Sequence, residues 1–480
     1  ARRSRLAPGA GPTTKGSGMS AGYDVDLAVV GSGGAAMAAA ITARQTGHTV
    51  VLIERGVLGG TCVNIGCVPS KTLLAAAGAR HSALTNPFDG APTSAGGVDL
   101  RALVHQKDEL VERMRSTKYA HVAAAYAFEV VPGHARFLDR DTLAVDGEPL
   151  RAQAYVVATG AAPAVPELAG LDSVDWLTST TAMELEQVPR SLVVIGGGYV
   201  GLEQAQLLAR LGARVSLVGR VAPRAEPELA ERLRAVFAED GIGVLEEHAV
   251  AVSVDGGEVV VRAASGAAVR AERLLIATGR TARTDGLGLA AAGVDVDERG
   301  FVVTDEFQRT TNPRVYAAGD VSGAPQYVYV AAAAGRAAAT NALTGPDGPG
   351  ARVDYTGLPT VVFTNPQLAS AGLSEKETLE RGHDCRSRVL NLSEVPRALV
   401  NRDTRGAVKI VADATTGKVL GVHALADGAG EIMLAATYAI RTGMTVDDLA
   451  DTWAPYLTMA ESLRIAAGLF RNHLPTSCCA

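Results

Sequence analysis

The chain has 480 residues and five cysteines, and four of the five fall into two close pairs. Cys62 and Cys67 lie in "GGTCVNIGCVPSK"; Cys478 and Cys479 are neighbours in the terminal "SCCA". Thiolates serve as nucleophiles, as two-electron couples and as ligands for soft metal ions. On a regular α-helix, residues five apart are rotated by about 140° and lie about 7.5 Å apart along the axis. Their Cα atoms would exceed the roughly 7 Å limit for a disulfide. A bridge between Cys62 and Cys67 therefore requires an irregular turn, which Gly59, Gly60 and Gly66 make accessible. The adjacent pair is different, because Cα atoms across a trans peptide are only about 3.8 Å apart. A bridge there would be strained and easily reduced, so the two sulfurs stay available as ligands. Cys385, in "RGHDCRSRV", has no cysteine near it and reads as structural. Sparse, uneven cysteines do not form a disulfide framework, and a reducing compartment, the cytoplasm, is expected.

Around these thiols the chain carries two Gly-rich strand–turn–helix units. The first is "DLAVVGSGGAAMAAAITARQTGHTVVLIE", residues 26–54. Gly31, Gly33 and Ala36 fit G-x-G-x-x-G/A, with Gly34 inside the turn and Glu54 closing the second strand. Such a turn lets the backbone approach a pyrophosphate at a helix N-terminus, and the acid can accept hydrogen bonds from ribose hydroxyls. The second is "SLVVIGGGYVGLEQAQLLARLGARVSLVGR", residues 191–220, where Gly196, Gly198 and Gly201 repeat the pattern. Here the terminal acid is missing; Gly219 and Arg220 stand in its place, with Arg224 nearby. A cation there suits a 2′-phosphate, favouring NADPH over NADH.

"ATG" at 158–160 and again at 277–279 follows an apolar run each time, as if strands re-enter a sheet, and "VYAAGD" at 315–320 is another strand. From about residue 350 short strands, turns and helices indicate a separate α+β domain. The expected fold is α/β, with two Rossmann-like dinucleotide-binding domains and a C-terminal α+β dimerisation domain. Hydrophobic residues make up 47% of the chain but aromatics only 4%, so the core must be built from small side chains. A net charge of −6 gives no reason to expect nucleic acid, and no apolar run is long enough to span a membrane. Residues 1–22 are basic and rich in Gly, Pro, Ser and Thr, without the apolar core of a secretory signal; they read as a disordered arm.

"GGTCVNIGCVPSK", both fingerprints, "ATGR" at 277–280 and "AAGD" at 317–320 resemble the FAD-dependent pyridine nucleotide–disulfide oxidoreductases, the family of glutathione reductase and dihydrolipoamide dehydrogenase. The resemblance runs from about residue 23 to the end. It implies that Gly31–Ala36, Glu54 and Asp320 hold FAD, and that Gly60, Thr61, Lys71, Thr159, Gly160 and Gly279 also contact a bound cofactor. It likewise implies that Gly196–Gly201 and Arg220 hold NADPH, with Tyr199 stacking near the nicotinamide. Lys71 and Glu203 match the family's charged pair beside the flavin. In that family NADPH gives a hydride to the flavin, which passes two electrons to the cysteine pair; Cys67 would be the thiol next to the flavin and Cys62 the one facing substrate.

Disulfide reductases of this family protonate the leaving thiolate with a His in an H-P-T-x-x-E motif supplied by the partner subunit. This chain reads "APYLTMAESL": Tyr456 stands at the His position, and Glu461 is retained. A phenol with a pKa near 10 is a poor proton shuttle at neutral pH. A thiol-bound soft metal ion needs no such proton, because its reduction leaves only free thiolates. "TCVNIGCVPSK", "QYVYVAAAAG", "VPRALVNRDTRG", "PYLTMAE" and "SCCA" together resemble the branch of the family that reduces Hg(II) to Hg(0). That resemblance implies a homodimer whose site joins Cys62 and Cys67 of one subunit to Tyr456, Cys478 and Cys479 of the other, with Tyr199 close by. Hg(II) would arrive as a thiol complex, be captured by the terminal cysteines and pass inward by thiolate exchange.

Some members carry a cysteine-pair metal-binding module ahead of the first fingerprint. Residues 1–22 hold no cysteine, so the tail is expected to do the scavenging. His473 reads as a solvated side chain. The expected division is an arm at 1–22, FAD-binding segments at 23–160 and 281–350, NADPH-binding at 161–280, dimerisation at 351–470 and the cysteine tail at 471–480. Two alternatives stand beside this reading. One is a thioredoxin-reductase-like enzyme that uses Cys478–Cys479 as a shuttle disulfide; the other is a flavin-bearing protein that sequesters mercury without reducing it.

Overall fold

The computed structural model describes residues 23–345, 348 and 350–471. They divide into two compact units, each built from three stretches of chain. Among the described residues no helix is long and apolar enough to cross a membrane.

The first unit comprises 23–60, 117–160 and 282–353. Its main sheet is wholly parallel, in the order Val315–Ala317, Ala152–Val157, Val25–Val30, Val50–Glu54, Glu129–Pro132. Val29 is paired with Leu52 on one side and Val156 on the other. The apolar runs that fill these strands are what a parallel sheet covered on both faces requires. One face packs against helices Gly34–Gln45 and Val328–Thr344, through Ala36, Ala39 and Ala40 of the first and Ala334 and Ala338 of the second. A side chain at Gly335 would collide with the Ala35 carbonyl, so the two helices approach almost backbone to backbone. The small-residue composition is used here. Phe137, Leu143 and Tyr155 fill the other face, beside an antiparallel meander of Ala135–Phe137, Leu143–Val145 and Glu148–Leu150.

The second unit comprises 61–116, 161–281 and 354 onward. It holds a second parallel sheet, ordered Gly243–Leu245, Arg214–Val218, Ser191–Ile195, Arg273–Ile276, Trp176–Leu177. The helix Tyr199–Leu211 follows its central strand and ends on Gly212 in the left-handed region. Helix Cys67–Leu84 packs along it through Leu73, Ala77, Leu207 and Leu211. The C-terminal part is an antiparallel sheet ordered Pro359–Val362, Gln367–Gly372, Val419–Ala426, Ala407–Asp413, Cys385–Asn391. Ile432, Met433 and Ala436 of helix Ala429–Thr442 pack with Ala369, Ile410 and Val422 of that sheet.

Candidate active site

The segment carrying the inner cysteines folds as two helices with a break between them. Gly60–Ile65 ends, Gly66 adopts φ −130°, ψ −110°, and Cys67–Leu84 begins. The break is the irregular turn that the five-residue spacing demands. It depends on Gly66, because a Cβ there would stand 2.9 Å from the Thr61 carbonyl oxygen. Cys62 and Cys67 are free thiols, joined by a hydrogen bond in which the Cys62 thiol serves the Cys67 sulfur. That hydrogen bond, with the positive charge of Lys71, outweighs burial and lowers the Cys67 pKa to about 7. The same hydrogen bond, with burial, pushes Cys62 well above the ordinary thiol range. Cys67 is also the first residue of an 18-residue helix, where the dipole favours a thiolate. One sulfur is thus poised as thiolate and the other as its proton-bearing partner.

Lys71 lies one turn further along this helix. Its ammonium donates to Glu203 Oε2 at 2.7 Å, and Glu203 is only 7% exposed. The other carboxylate oxygen accepts from the Phe363 backbone N–H at 3.0 Å. Tyr199, half-buried, opens the helix that carries Glu203 and sits one turn before it. The pairing of Lys71 with Glu203 expected from the sequence is therefore present; Phe363 was not foreseen. Nothing in its local sequence marks it.

In the first unit, Gly31 (φ +113°) turns at the end of the central strand, and a Cβ there would collide with the Ala158 carbonyl. Gly60 (φ +66°) packs on Gly33, where a Cβ would meet the Gly33 Cα at 2.6 Å. Helix Gly34–Gln45 starts without a side-chain cap and without an acid in its first turn, so the helix itself places no acceptor side chain on its leading amides. Ala36 is buried inside that helix. Thr159, Gly160 (φ +72°) and Asp320 lie just beyond the C-terminal ends of neighbouring parallel strands, the edge where open α/β sheets bind ligands. Thr159 Oγ1 donates to the Arg283 carbonyl at 2.7 Å. Glu54 accepts from Ser32 Oγ at 2.5 Å and from the Gly56 N–H at 2.8 Å. Ser32 is 1% exposed and also accepts from the Gly59 N–H at 3.0 Å, tying the glycine turn to the strand end. A carboxylate has about four lone-pair sites, so Glu54 retains capacity for a ribose. These residues fit the phosphates and ribose of FAD.

The second fingerprint is tighter still. Side chains at Gly196, Gly197 and Gly201 would collide with the carbonyls of Ala277, Arg220 and Gly196 respectively. A Cβ at Gly198 would meet nothing within 4 Å, and Gly198 precedes an uncapped helix with no acid in its first turn. A backbone closed on the protein side and open at the helix N-terminus suits a pyrophosphate. Arg220 and Arg224 are both exposed just past strand Arg214–Val218. Gly279 (φ +139°) likewise has open space around its Cβ direction. This set fits NADPH.

Tyr456, 49% exposed, lies in the loop between helices Val446–Asp451 and Glu461–Gly468. Glu461 is buried, accepts from the Leu457 N–H at 3.3 Å and from Arg464 at 3.2 Å, and so shapes that loop. Trp453 in the same loop is 97% exposed. Cys385 begins the edge strand Cys385–Asn391, and burial pushes its pKa up, in keeping with a structural thiol. His473, Cys478 and Cys479 lie outside the described residues. Among the described residues no cluster of three or more His, Cys, Asp or Glu side chains could hold a metal ion; the inner cysteines are a pair.

Comparison with known proteins agrees with this geometry. Residues 25–335 match the profile of the pyridine nucleotide-disulphide oxidoreductases, and 358–467 match the dimerisation domain of the same family. A mercuric reductase of Streptomyces lividans is 52% identical over 472 residues, covering 96% of this chain and 98% of that protein. One from Lysinibacillus sphaericus is 44% identical, covering 95% of this chain and 84% of that protein. Among solved structures, a copper(II) complex of the HOCl-induced flavoprotein disulfide reductase RclA from Escherichia coli superposes with a TM-score of 0.81 at 29% identity. It covers 91% of this chain and 98% of that one. The chain belongs to the pyridine nucleotide-disulphide oxidoreductase family and, within it, to the mercuric reductases.

Proposed function

We infer that this chain is an NADPH-dependent, FAD-bearing enzyme that reduces Hg(II) to Hg(0) for mercury detoxification and works as a homodimer. The observation that carries this reading is near-full-length similarity to mercuric reductases in a chain that keeps the Cys62–Cys67 pair across its helix break. The first fingerprint with Glu54 and Asp320 would hold FAD, which when bound would supply two-electron chemistry from NADPH at the cysteine pair. Cys67, thiolate near neutral pH, and Cys62, which gives up its proton on ligation, would hold Hg(II) as a soft dithiolate. Two electrons convert that ion to the neutral atom and leave both sulfurs as thiolates, so no leaving group needs a proton. This is consistent with Tyr456 standing where a disulfide reductase has its His. The exposed Leu434 and Tyr438, one turn apart on helix Ala429–Thr442, and Trp453 supply apolar surface for a second copy.

We further propose that Hg(II) arrives as a thiol complex and is delivered by Cys478 and Cys479 of the partner subunit, with Tyr456 and Tyr199 lining its path. The site residues keep the roles the family resemblance gives them. The division proposed is FAD-binding for 23–160 with 281–350, NADPH-binding for 161–280 and dimerisation for 351–470. Free thiols and an NADPH supply support a cytoplasmic setting. The test is NADPH oxidation measured together with mercury in the headspace. Hg(II)-dependent oxidation with stoichiometric Hg(0) is expected. Turnover of a protein disulfide without evolved mercury would overturn the reading in favour of a disulfide reductase, and binding without evolved mercury would favour sequestration.

A further inference from the structure

Phe363 directly follows strand Pro359–Val362 and is 39% exposed, joining no buried core cluster among the described residues. Its two contacts with charged groups converge on one ion pair. The backbone N–H donates to Glu203 Oε1 at 3.0 Å, and the Lys71 ammonium stands 4.5 Å from the ring centroid. Glu203 Oε2 accepts from that ammonium at 2.7 Å. Amide, carboxylate, ammonium and ring face thus close a loop. Lys71 needs such restraint: its stem is long and flexible and its side chain is one-third exposed (33%). A carboxylate alone fixes the ammonium's distance from one point and leaves it free to swing. A ring face blocks part of that arc and attracts the cation through its quadrupole.

We propose that Phe363 is a positioning residue for the reaction: its amide orients Glu203 and its ring holds the Lys71 ammonium. A strand of the segment matched by the dimerisation domain thereby fixes the charge one helical turn beyond Cys67. The inference rests on the reading that Lys71 and Glu203 form the charged pair beside the flavin, which NADPH reduces; it does not depend on mercury. Leucine at 363 would keep the amide and an apolar side chain but lose the quadrupole, and tyrosine would keep both.

The test uses the FAD-loaded dimer with Phe363→Leu, Phe363→Tyr, Lys71→Met and the Phe363→Leu/Lys71→Met double variant. The first readout is the ε-methylene resonance of Lys71 in protein carrying carbon-13 lysine, assigned by its disappearance in Lys71→Arg. An upfield ring-current shift is expected in the unaltered protein, retained with Tyr and lost with Leu. The second readout is the rate of flavin reduction by NADPH without Hg(II). Phe363→Leu should slow it by about two- to fivefold, Phe363→Tyr should restore it, and Leu should add no loss on the Lys71→Met background. An unshifted Lys71 resonance, an unchanged rate in Phe363→Leu or an additive loss in the double variant would overturn the proposal. Failure of the mercury reading would show separately, as an enzyme that passes these tests and evolves no Hg(0).

Discussion

Replacing Gly201 by Ala tests whether the second fingerprint holds NADPH through the close approach of its helix to its strand. A Cβ at 201 would lie on the Gly196 carbonyl oxygen, inside the 3.0 Å that real Cβ atoms essentially never cross, and 3.4 Å from the Ala277 Cβ. Gly196 cannot yield easily, because its N–H donates to the Val218 carbonyl at 2.9 Å and its φ is +113°. The helix Tyr199–Leu211 would have to back away by about 1 Å, in a core packed too densely to absorb the shift. Overpacking of this kind costs about 1–3 kcal/mol. If that cost falls on the bound state, it converts to a loss of about 5- to 150-fold in NADPH affinity. The leading amides and Gly198 move with the helix, so the loss should appear in binding. The assay is KM for NADPH together with direct titration of the nucleotide, with FAD content read from visible absorbance. The matched position of the first fingerprint is already Ala36, so Ala36→Gly should leave FAD content nearly unchanged. A Gly201→Ala enzyme with unaltered KM and full FAD content would refute the reasoning.

Removing both Arg220 and Arg224 by Ala substitution should lower kcat/KM for NADPH by about 10- to 100-fold while leaving NADH within about twofold; equal losses on both nucleotides would mean the two arginines do not read the 2′-phosphate. Alkylation of the reduced protein should titrate with Cys67 near pH 7, its thiolate present above that pH and lost as pH falls through it, and Lys71→Met should move the midpoint upward because the ammonium lowers it; a midpoint near the ordinary thiol value would count against the Cys62 hydrogen bond. Replacing Cys478 and Cys479 by Ala should cost at least about tenfold on Hg(II) chelated by bulky thiols and much less on weakly ligated Hg(II), so equal losses would remove the tail from the delivery route. Lys409 is 2% exposed and meets Glu226, Glu228 and Glu375 at 2.8, 3.0 and 2.7 Å; Lys409→Met should destabilise the protein by about 3–5 kcal/mol, seen as earlier thermal unfolding, and the deficit should shrink as pH falls and Glu375, which the Lys409 hydrogen bond holds below the usual carboxylate range, protonates.

Sequence and structure agree most closely where a feature is local and backbone-driven. Both fingerprints were legible because their glycines mark places where no Cβ fits, as at Gly31 and Gly196. The inner cysteines were legible for a related reason: their spacing fails on a straight helix, and Gly66 stands where the break has to be. The strands announced by "ATG" and "AAGD" were found at Ala152–Val157, Arg273–Ile276 and Val315–Ala317. What the sequence hid is non-local. Lys71 and Glu203 are 132 residues apart, and family resemblance paired them; spacing could not. Phe363, 160 residues beyond Glu203, carries no local signal at all. Lys409 did leave a trace, as a cation among the apolar residues of the strand "AVKIVAD", but its carboxylate partners lie up to 183 residues away.

The same division explains where control over the chemistry resides. Local elements make the cradles: a turn without side chains, a helix end without a cap, a broken helix between two sulfurs. Each is local in sequence, and the leading influence on Cys67, the Cys62 hydrogen bond across the break, is local too. The part that comes from far in sequence is the Lys71 ammonium, which rests on Glu203, and Glu203 on the amide of Phe363 in the segment matched by the dimerisation domain. A thiolate tuned this way is sensitive to packing far from it in sequence. Substitutions on the strand Pro359–Val362 that shift Phe363 should therefore slow flavin reduction by NADPH while leaving FAD content, read from visible absorbance, unchanged.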